Sequence, residues 1–565
     1  MSDEAGRQRV VIEGVEPEID GGRFPIKRVV GERVVVEADI YTDGTDALSC
    51  RLLYRGPEDK TWSQVPMQAV GDDRWRGELT VTGPGRWRYT VTGWVDPFKT
   101  WRRDLQQRSG SGRNPAAELP AGAALIRQAG RRAEAAGRRS DARVLAGFAA
   151  ELEAGPEPEA RLRRAMDGDL AARMERLADR RFASYHRELE VVVDRERARF
   201  STWYEMSARA TGATWKEAEA LLPAVSAMGF DVLALPPLPL SGRAASGSAE
   251  EVRLVLDKAR ELGLEIALEL AWPVAPDPDP ESWRELWQDL KSAVDLWVAR
   301  GVRIFRASDP ETRTFPFWEW LLTAVKREHP DVLFWAGGET RPKLSARLAK
   351  LGFTWNAADV PWQGSKAELT ARCTELTASL GSETLRPHLW PAMPDLAAEP
   401  LPGGDRAVYL RRLILAATLG AGYGLKGPAF EPPESAPGDV DLNELVGRVN
   451  RLRHENPALQ SDRGLRFHPA EHPQILCFSK VDATGNNVIL VVVNLDPLQT
   501  QSAWLELDVE ALGVPRDRPY EVHDLLTKVR YLWHGSRNFV QIDPQALPAQ
   551  IFRVRRRVRP EREPA

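Results

Sequence analysis

Residues 301–320, GVRIFRASDPETRTFPFWEW, have the pattern of a buried strand that runs into a helix. The mainly apolar run VRIF comes first, the mainly polar run RASDPE follows, and the aromatic-rich run FPFWEW comes last. In barrels built of alternating strands and helices, such a joint lies at the C-terminal end of a strand, where catalytic groups are held. The segment therefore places a candidate site at Ser308, and no histidine lies near this serine in the sequence.

Strand-like runs and helical patterns alternate through the middle third of the chain. Strands are predicted at FDVLALPPL (230–238), LEIALELA (264–271), VRIFRAS (302–308) and VLFWAGGE (332–339). Between them, runs such as SAEEVRLVLDKARELG and ESWRELWQDLKSAVDLWVARG predict helices. This alternation predicts parallel strands wrapped by helices, a (β/α)8 barrel over residues 199–460.

The segments on either side of this region have a different character. Short alternating runs such as RVVVEADIYT and GRWRYTVTGWVD predict an N-terminal β-sandwich over residues 1–105. Residues 106–198 are rich in Ala, Arg, Glu and Leu, which predicts a helical insert. Runs such as NNVILVVVNLDP predict a C-terminal β-sandwich over 461–565. The expected fold class is multidomain α/β, a barrel flanked by two β-sandwiches.

The composition excludes several classes of partner. A net charge of −4 and a pI near 6.2 imply no nucleic acid or other polyanion as a partner. The sequence has no signal-peptide pattern and no apolar run of about 18 residues, so we expect a cytoplasmic protein without a membrane partner. Cys50, Cys373 and Cys477 are few and far apart, which argues against disulfides and a zinc site, and we expect no metal or cofactor.

Several strings within this order of domains are similar to one known family. They include RFSTWYEMSAR at the first barrel strand, PAVSAMGFDVLALPPLPLSG at the second, FPFWEWLLTAVKREHPDVLF after the fourth, and RLRHENPALQ, NVILVVVNLDPLQ and YEVHDLLT later. On these strings the chain resembles the α-1,4-glucan:maltose-1-phosphate maltosyltransferases of glycoside hydrolase family 13. The resemblance covers nearly the whole chain.

The resemblance implies a retaining mechanism. In the family, an aspartate after the fourth strand attacks the anomeric carbon of maltose 1-phosphate and displaces phosphate, and a glutamate after the fifth strand acts as acid and base. A third carboxylate stabilises the transition state, and the maltosyl group passes to a glucan. Such a mechanism requires two carboxyl groups about 5–5.5 Å apart, with their pKa values driven apart.

The fourth strand departs from the family pattern of arginine, any residue, aspartate, asparagine, proline and histidine. This chain has Arg306, Ala307, Ser308, Asp309, Pro310 and Glu311. Ser308 thus stands at the nucleophile's position, and a serine attacks only where a base removes its proton. Asp309 replaces an asparagine that in the family helps to hold the donor phosphate, and its charge would repel phosphate.

The fifth strand departs in the same way. Gly337 stands at the acid/base position in the run WAGGETRP. Glu339 lies two residues on, displaced by roughly 6.5 Å along an extended chain, and is expected in an exposed loop. Asp309 and Glu339 are the candidates for relocated carboxylates, although Asp309 precedes Pro310 and is expected to cap a helix.

Of two further family positions, one keeps its residue and one has changed. Asp395, in LWPAMPDLA, matches the third carboxylate, and Glu269 on the third strand stands where the family has aspartate. The resemblance implies that Arg306, Asp395 and Glu269 bind substrate. Two loops of the family are missing here. The loop that lines the donor site is missing after position 240, and the loop that binds the donor phosphate is missing after position 280.

These departures favour a maltosyltransferase-like protein with no intact catalytic set. We expect an inactive pseudoenzyme in glycogen or α-glucan metabolism that binds an α-glucan or maltosyl ligand or pairs with an active relative, as a homodimer or heteromer. The alternative is an active maltosyl or glycosyl transferase with relocated carboxylates, Asp309 and Glu339 with Asp395. A third hypothesis is hydrolysis by Ser308 with a distant histidine such as His388.

Overall fold

A computed structural model describes residues 8–110, 115–155, 157–206, 214–236, 249–270, 283–337, 341–378, 380–391, 406–427 and 442–555. The chain divides into two compact units. The first runs to Val192 except for Gly83–Gly85, and the second begins at Val193.

The first unit contains two antiparallel sheets. Its strands are β1 Val10–Glu16, β2 Ile26–Val29, β3 Arg33–Thr42, β4 Leu48–Arg55, β5 Ser63–Pro66, β6 Gln68–Gly71, β7 Arg74–Thr80, β8 Gly85–Val95, β9 Ser184–Tyr185 and β10 Leu189–Asp194. One sheet has the order β1-β3-β7-β6 and the other the order β2-β10-β8-β4-β5, with β9 beside β8. In β3 every second side chain is buried, Val34, Val36, Ala38 and Ile40. The predicted alternation is therefore one sheet face packed on the core.

Helices fill the middle of the first unit. They are α1 Pro97–Gly110, α2 Leu119–Ala135, α3 Arg139–Ala154, α4 Pro158–Ala165 and α5 Gly168–Arg176, and they share an apolar core. The segment predicted as a helical insert, 106–198, is helical only in part. Its last residues form β9 and β10, because the run LEVVVD is β-branched and pairs in the N-terminal sheet. The exact domain boundaries stay a prediction.

The second unit contains the barrel. Within the described ranges, eight parallel strands close in sequence order: β11 Ser201–Glu205, β12 Val232–Leu235, β13 Glu265–Glu269, β14 Ile304–Ala307, β15 Leu333–Ala336, β16 Trp355–Ala357, β17 Pro387–Leu389 and β18 Gly422–Lys426. β12 to β15 fall where FDVLALPPL, LEIALELA, VRIFRAS and VLFWAGGE predict strands. Strands that are buried on both faces are typical of a parallel barrel.

Helices alternate with these strands. They are α6 Trp215–Ala227, α7 Ala249–Glu261, α8 Trp283–Ala299, α9 Phe315–Glu328, α10 Pro342–Leu351, α11 Lys366–Ala378, α12 Arg406–Leu419 and α13 Leu442–Glu455. In α8, Leu290, Val294 and Trp297 are buried on one face. None of the helices in the described ranges is both long and apolar enough to cross a membrane.

A C-terminal β-sandwich follows the barrel. Its strands are β19 Leu465–His468, β20 Ile475–Val481, β21 Val488–Asn494, β22 Gln501–Glu506, β23 Pro519–Asp524, β24 Arg530–His534, β25 Arg537–Ile542 and β26 Ala549–Arg555. One sheet has the order β19-β20-β21-β26-β23-β24, and β22 pairs with β25 in the other. Both sheets contribute to one apolar core. The architecture confirms the predicted barrel with β-sandwich domains before and after it.

Candidate functional site

The ends of the fourth and fifth strands bring Ser308 and Gly337 together. In the β14–β15 register Ala307 is the partner of Ala336, and the amide of Gly337 donates a 2.6 Å hydrogen bond to the carbonyl of Ala307. Ser308 and Gly337 are therefore neighbours at the C-terminal end of the barrel. Ser308 is half-buried and Gly337 is buried. The two residues that the resemblance assigns to the nucleophile and acid/base positions are thus adjacent, and the roles of these positions stay a prediction.

The space above Gly337 is filled by an indole. A Cβ atom at position 337 would lie 2.4 Å from Cζ3 of Trp335 and 2.9 Å from the Cα of Ser308. Contacts below 3 Å are shorter than van der Waals distance, so the site admits no side chain at 337 unless its neighbours move. Trp335 itself is buried. The shape of the site at position 337 therefore suits glycine and leaves no room for a larger residue.

A buried ionic triad lies beside this position. The guanidinium of Arg306 pairs through Nη1 with Oε2 of Glu205, and its Nε lies 3.0 Å from Oε2 of Glu269 at an angle outside that of a hydrogen bond. All three side chains are buried. The guanidinium also lies over the ring of Trp335, 4.4 Å from its centroid. Arg306 is therefore held on three sides by groups of this chain.

Ser308 is tied to the same triad. Its amide donates a 2.7 Å hydrogen bond to Oε1 of Glu269. Burial raises the pKa of Glu269 to about 7, against the opposing effects of Arg306 and Ser308. A buried charge is unfavourable, and the partners of Glu269 offset only part of that penalty. The backbone of Ser308 is thus held beside a carboxyl group.

Asp309 follows Ser308 and is exposed. It takes the predicted N-cap position, because a short 3-10 turn, Pro310–Thr312, begins after it. The predicted capping role of its side chain is wrong: the carboxylate makes no capping hydrogen bond, and its backbone carbonyl accepts from the amide and hydroxyl of Thr312 instead. Its ψ of 66° lies outside the extended range of about 100–180° that an N-cap residue normally adopts, which explains this difference.

Aromatic rings fill the barrel interior below the triad. His388 lies among the rings of Trp203, Trp335, Trp355 and Trp390, with centroid distances of 5.1–6.3 Å. Complete burial, with Arg453 and Arg306 nearby, lowers the pKa of His388 well below its usual value. Within the described part of the chain, neither of its ring nitrogens has a hydrogen-bond partner. The hypothesis of a Ser308–His388 pair is therefore wrong, since no hydrogen bond joins them.

Some predicted site residues cannot be placed. Glu339 and Asp395 lie outside the described residues, as do the segments in which the two shortened loops were predicted. Of the residues expected to bind substrate, Arg306 and Glu269 are buried and paired with one another. Substrate binding by these residues and catalysis by relocated carboxylates stay predictions.

Sequence reasoning missed several residues of the site. Glu205 ends the first strand within the string RFSTWYEMSAR, and its alternation with Trp203 places both in the interior. Trp390 follows His388 by two residues in the same way, and a Cβ atom on Gly424 would lie 2.3 Å from its ring. The period of two along each strand was the available pattern, but it does not indicate which side chains meet across the barrel.

Comparisons with known proteins agree with this architecture. A family model described as "Alpha-1,4-glucan:maltose-1-phosphate maltosyltransferase, domain N/S" matches residues 8–195, and one described as "GLGE, C-terminal" matches residues 467–554. In the sequence, the first matched segment precedes the barrel and the second follows it. An α-amylase from Geobacillus thermoleovorans, solved with acarbose, has a TM-score of 0.51 at 12% identity and covers 63% of this chain and 98% of its own. At that identity the likeness shows the fold alone.

Curated relatives match over almost the full length. The alpha-1,4-glucan:maltose-1-phosphate maltosyltransferase of Chlorobaculum tepidum is 35% identical, with 97% of each chain covered. The protein of the same name from Myxococcus xanthus is 33% identical, with 97% of each chain covered. The first alignment spans 653 positions, more than the 565 residues of this chain, so part of the relative has no counterpart here. The chain belongs to the family of alpha-1,4-glucan:maltose-1-phosphate maltosyltransferases.

Proposed function

We propose that this chain is a catalytically inactive member of its family. It acts in glycogen or α-glucan metabolism, either by binding a glucan or by pairing with an active relative. The observation that carries this proposal is the filled space at Gly337, where a Cβ atom would lie 2.4 Å from Trp335. A glutamate at this position has no room. Both the shape of the site and the residue type therefore exclude an acid/base group at position 337.

The remaining carboxylates also support an inactive site. A retaining mechanism needs one carboxylate free to attack the anomeric carbon and a second about 5–5.5 Å away. Glu205 and Glu269 both contact Arg306, and both are buried. An attack by either carboxylate would leave the buried guanidinium short of a partner, which is strongly unfavourable. These groups hold the barrel mouth together and are poor candidates for a nucleophile.

The proposal is tested by assaying phosphate release from maltose 1-phosphate with glycogen as acceptor. The Chlorobaculum tepidum relative, named for this reaction, serves as the positive control under the same conditions. We expect release at the rate of the protein-free blank. Release within about a hundredfold of the relative's rate would refute the proposal, because loss of a catalytic carboxylate removes several orders of magnitude.

The alternative is an active maltosyl or glycosyl transferase with relocated carboxylates. One observation favours it: Asp309 is exposed, and its carboxylate makes no capping hydrogen bond. If the assay shows turnover, the variants Asp309→Asn, Glu339→Gln and Asp395→Asn identify the groups responsible. A loss of turnover of a thousandfold or more in the first two variants would establish the alternative.

The expected partners follow from the same proposal. We place the protein in the cytoplasm and expect a homodimer or a heteromer with an active maltosyltransferase, since a paralogue can reuse a symmetric interface. Sedimentation velocity of the purified chain alone tests for the homodimer. The same measurement on a mixture with an active relative from the same source tests for the heteromer. Sedimentation as a monomer in each case would contradict the pairing role and leave glucan binding as the function.

A further inference from the structure

The ribbon of β22 and β25 presents one face to the core and one to solvent. Ala503 and Leu505 of β22 and Val540 and Ile542 of β25 belong to the apolar core of the C-terminal sandwich. Because side chains alternate along a strand, the intervening residues point away from that core. The outward residues are therefore held on a backbone that core packing fixes in place.

Three cross-strand pairs form this outward face, which we call the Trp504 face: Ser502 with Gln541, Trp504 with Phe539, and Glu506 with Arg537. Trp504 is 41% exposed and Phe539 is 50% exposed. Their ring centroids are 5.4 Å apart, at an angle of 64°. Large aromatic side chains that remain this exposed, directly opposite one another, mark a surface that another molecule can cover.

The polar groups of the Trp504 face flank the two rings. Arg537 forms a 2.8 Å ion pair with Glu471, and its guanidinium lies 4.8 Å from the centre of the Trp504 ring. An anionic ligand would meet the carboxylates of Glu506 and Glu471 on either side of this cation. A cationic ligand would meet Arg537 itself. The charges of the face thus favour a neutral ligand.

We propose that the Trp504 face binds a neutral α-glucan chain. The apolar C–H faces of glucosyl rings would stack on Trp504 and Phe539, and the sugar hydroxyls would exchange hydrogen bonds with Ser502 and Gln541. An aromatic centre with a few polar groups beside it is the usual composition of a small-molecule or sugar site. The inference rests on the glucan-binding part of the proposed function and locates it outside the barrel mouth.

The experiment measures glycogen binding by retardation of the native protein in gels that contain glycogen. Wild type is compared with Trp504→Ala, Phe539→Ala, the double variant W504A/F539A, and Leu532→Ala as a control. Leu532 is a strongly exposed apolar residue of the same sandwich, but it lies on β24 in the other sheet. Circular dichroism checks that each variant is folded, since a cross-strand aromatic pair also stabilises a ribbon.

We expect glycogen to retard wild type and L532A equally. We expect each single variant to weaken binding about tenfold and the double variant to show no retardation. Retention of full binding by a folded W504A/F539A variant would overturn the inference, as would a wild type that glycogen does not retard. A change in sedimentation of the double variant with unchanged glycogen binding would also overturn it, because the face would then be a contact between copies.

This experiment separates the inference from the wider proposal. Phosphate release from maltose 1-phosphate decides whether the barrel is active. Glycogen retardation of W504A/F539A decides whether this face binds glucan. An active barrel with an unaffected double variant refutes both, whereas an inactive barrel with an unaffected double variant refutes only the assignment of the face.

Discussion

The indole of Trp335 occupies the space that a side chain at position 337 would need, since a Cβ atom on Gly337 would lie 2.4 Å from Cζ3 of the ring. Both residues lie on the interior face of the fifth strand or its end, two positions apart. The large ring and the missing side chain are thus complementary. A smaller residue at position 335 would leave a cavity beside Gly337, and a larger residue at position 337 would clash with Trp335. Together the two residues fill the barrel mouth.

Gly337→Ala is therefore expected to lower the free energy of unfolding by about 1–3 kcal/mol, as overpacking does. In a Trp335→Leu background the same change should have a smaller effect, because the smaller side chain leaves room. Calorimetric unfolding of the four proteins in this double-mutant cycle measures the coupling.

Gly147→Ala is the matched control. Gly147 lies in α3, where a Cβ atom would meet no heavy atom within 4 Å. Alanine in an open helical position should raise stability by about 0.5–1 kcal/mol. Equal effects of Gly337→Ala and Gly147→Ala, or no coupling between positions 335 and 337, would contradict the packing argument.

Arg306→Ala should destabilise the barrel by about 3–5 kcal/mol, because it leaves the buried carboxylates of Glu205 and Glu269 without their cation. Arg253→Ala is the control. Arg253 pairs with Glu250 at 2.6 Å, but both side chains are more than half exposed, and such pairs contribute at most about 1 kcal/mol. Denaturant unfolding followed by tryptophan fluorescence compares the two. Similar small losses in both variants would show that the triad is not a structural element.

Glu269→Gln tests the raised pKa of this buried carboxyl group. With a pKa of about 7 in the folded chain and an ordinary value of 4.5 in the unfolded chain, only the unfolded chain releases the proton between these pH values. The stability of wild type relative to E269Q should therefore fall as the pH rises from 4.5 to 7, by up to about 3 kcal/mol, and then level off. Thermal midpoints of both proteins across this range provide the measurement. A difference that does not change with pH would contradict the assignment.

His388→Leu tests a second buried group, with the opposite pH dependence. The lowered pKa keeps His388 neutral in the folded chain, while the unfolded chain takes up a proton below about 6.5, its ordinary value. Wild type should therefore lose stability relative to H388L as the pH falls below 6.5. Above pH 7 the two should differ by less than about 1.5 kcal/mol, since the volumes are similar and no hydrogen bond within the described residues is lost. A loss of several kcal/mol at high pH would show that His388 has an essential partner.

Much of the barrel could be predicted from the sequence, and particular residues show why. The run VRIF has the β-branched residues Val302 and Ile304 at alternate positions, and the strand β14 forms at Ile304–Ala307. The neighbouring positions of Ser308 and Gly337 follow from the parallel register of consecutive strands. Patterns with a period of two or 3.6 residues were sufficient for these elements.

Contacts between distant parts of the chain could not be predicted in this way. Glu205 precedes Arg306 by 101 residues, and nothing in either local string indicates that they pair. The reach of the Trp335 ring over Gly337 depends on a side-chain rotamer, which periodicity does not determine. Asp309 was placed correctly before a short helix, but the direction of its carboxylate depends on a backbone conformation that the sequence does not define.

Intact-protein mass spectrometry after incubation with a 2-fluoro maltosyl donor tests the central claim most directly. Such donors form the glycosyl-enzyme ester of a retaining enzyme and slow its breakdown, so any competent nucleophile becomes labelled. We predict an unchanged mass for this chain and a glycosylated species for the Chlorobaculum tepidum relative. A maltosyl adduct on this chain, mapped by peptide analysis to any side chain of the barrel mouth, would contradict the account.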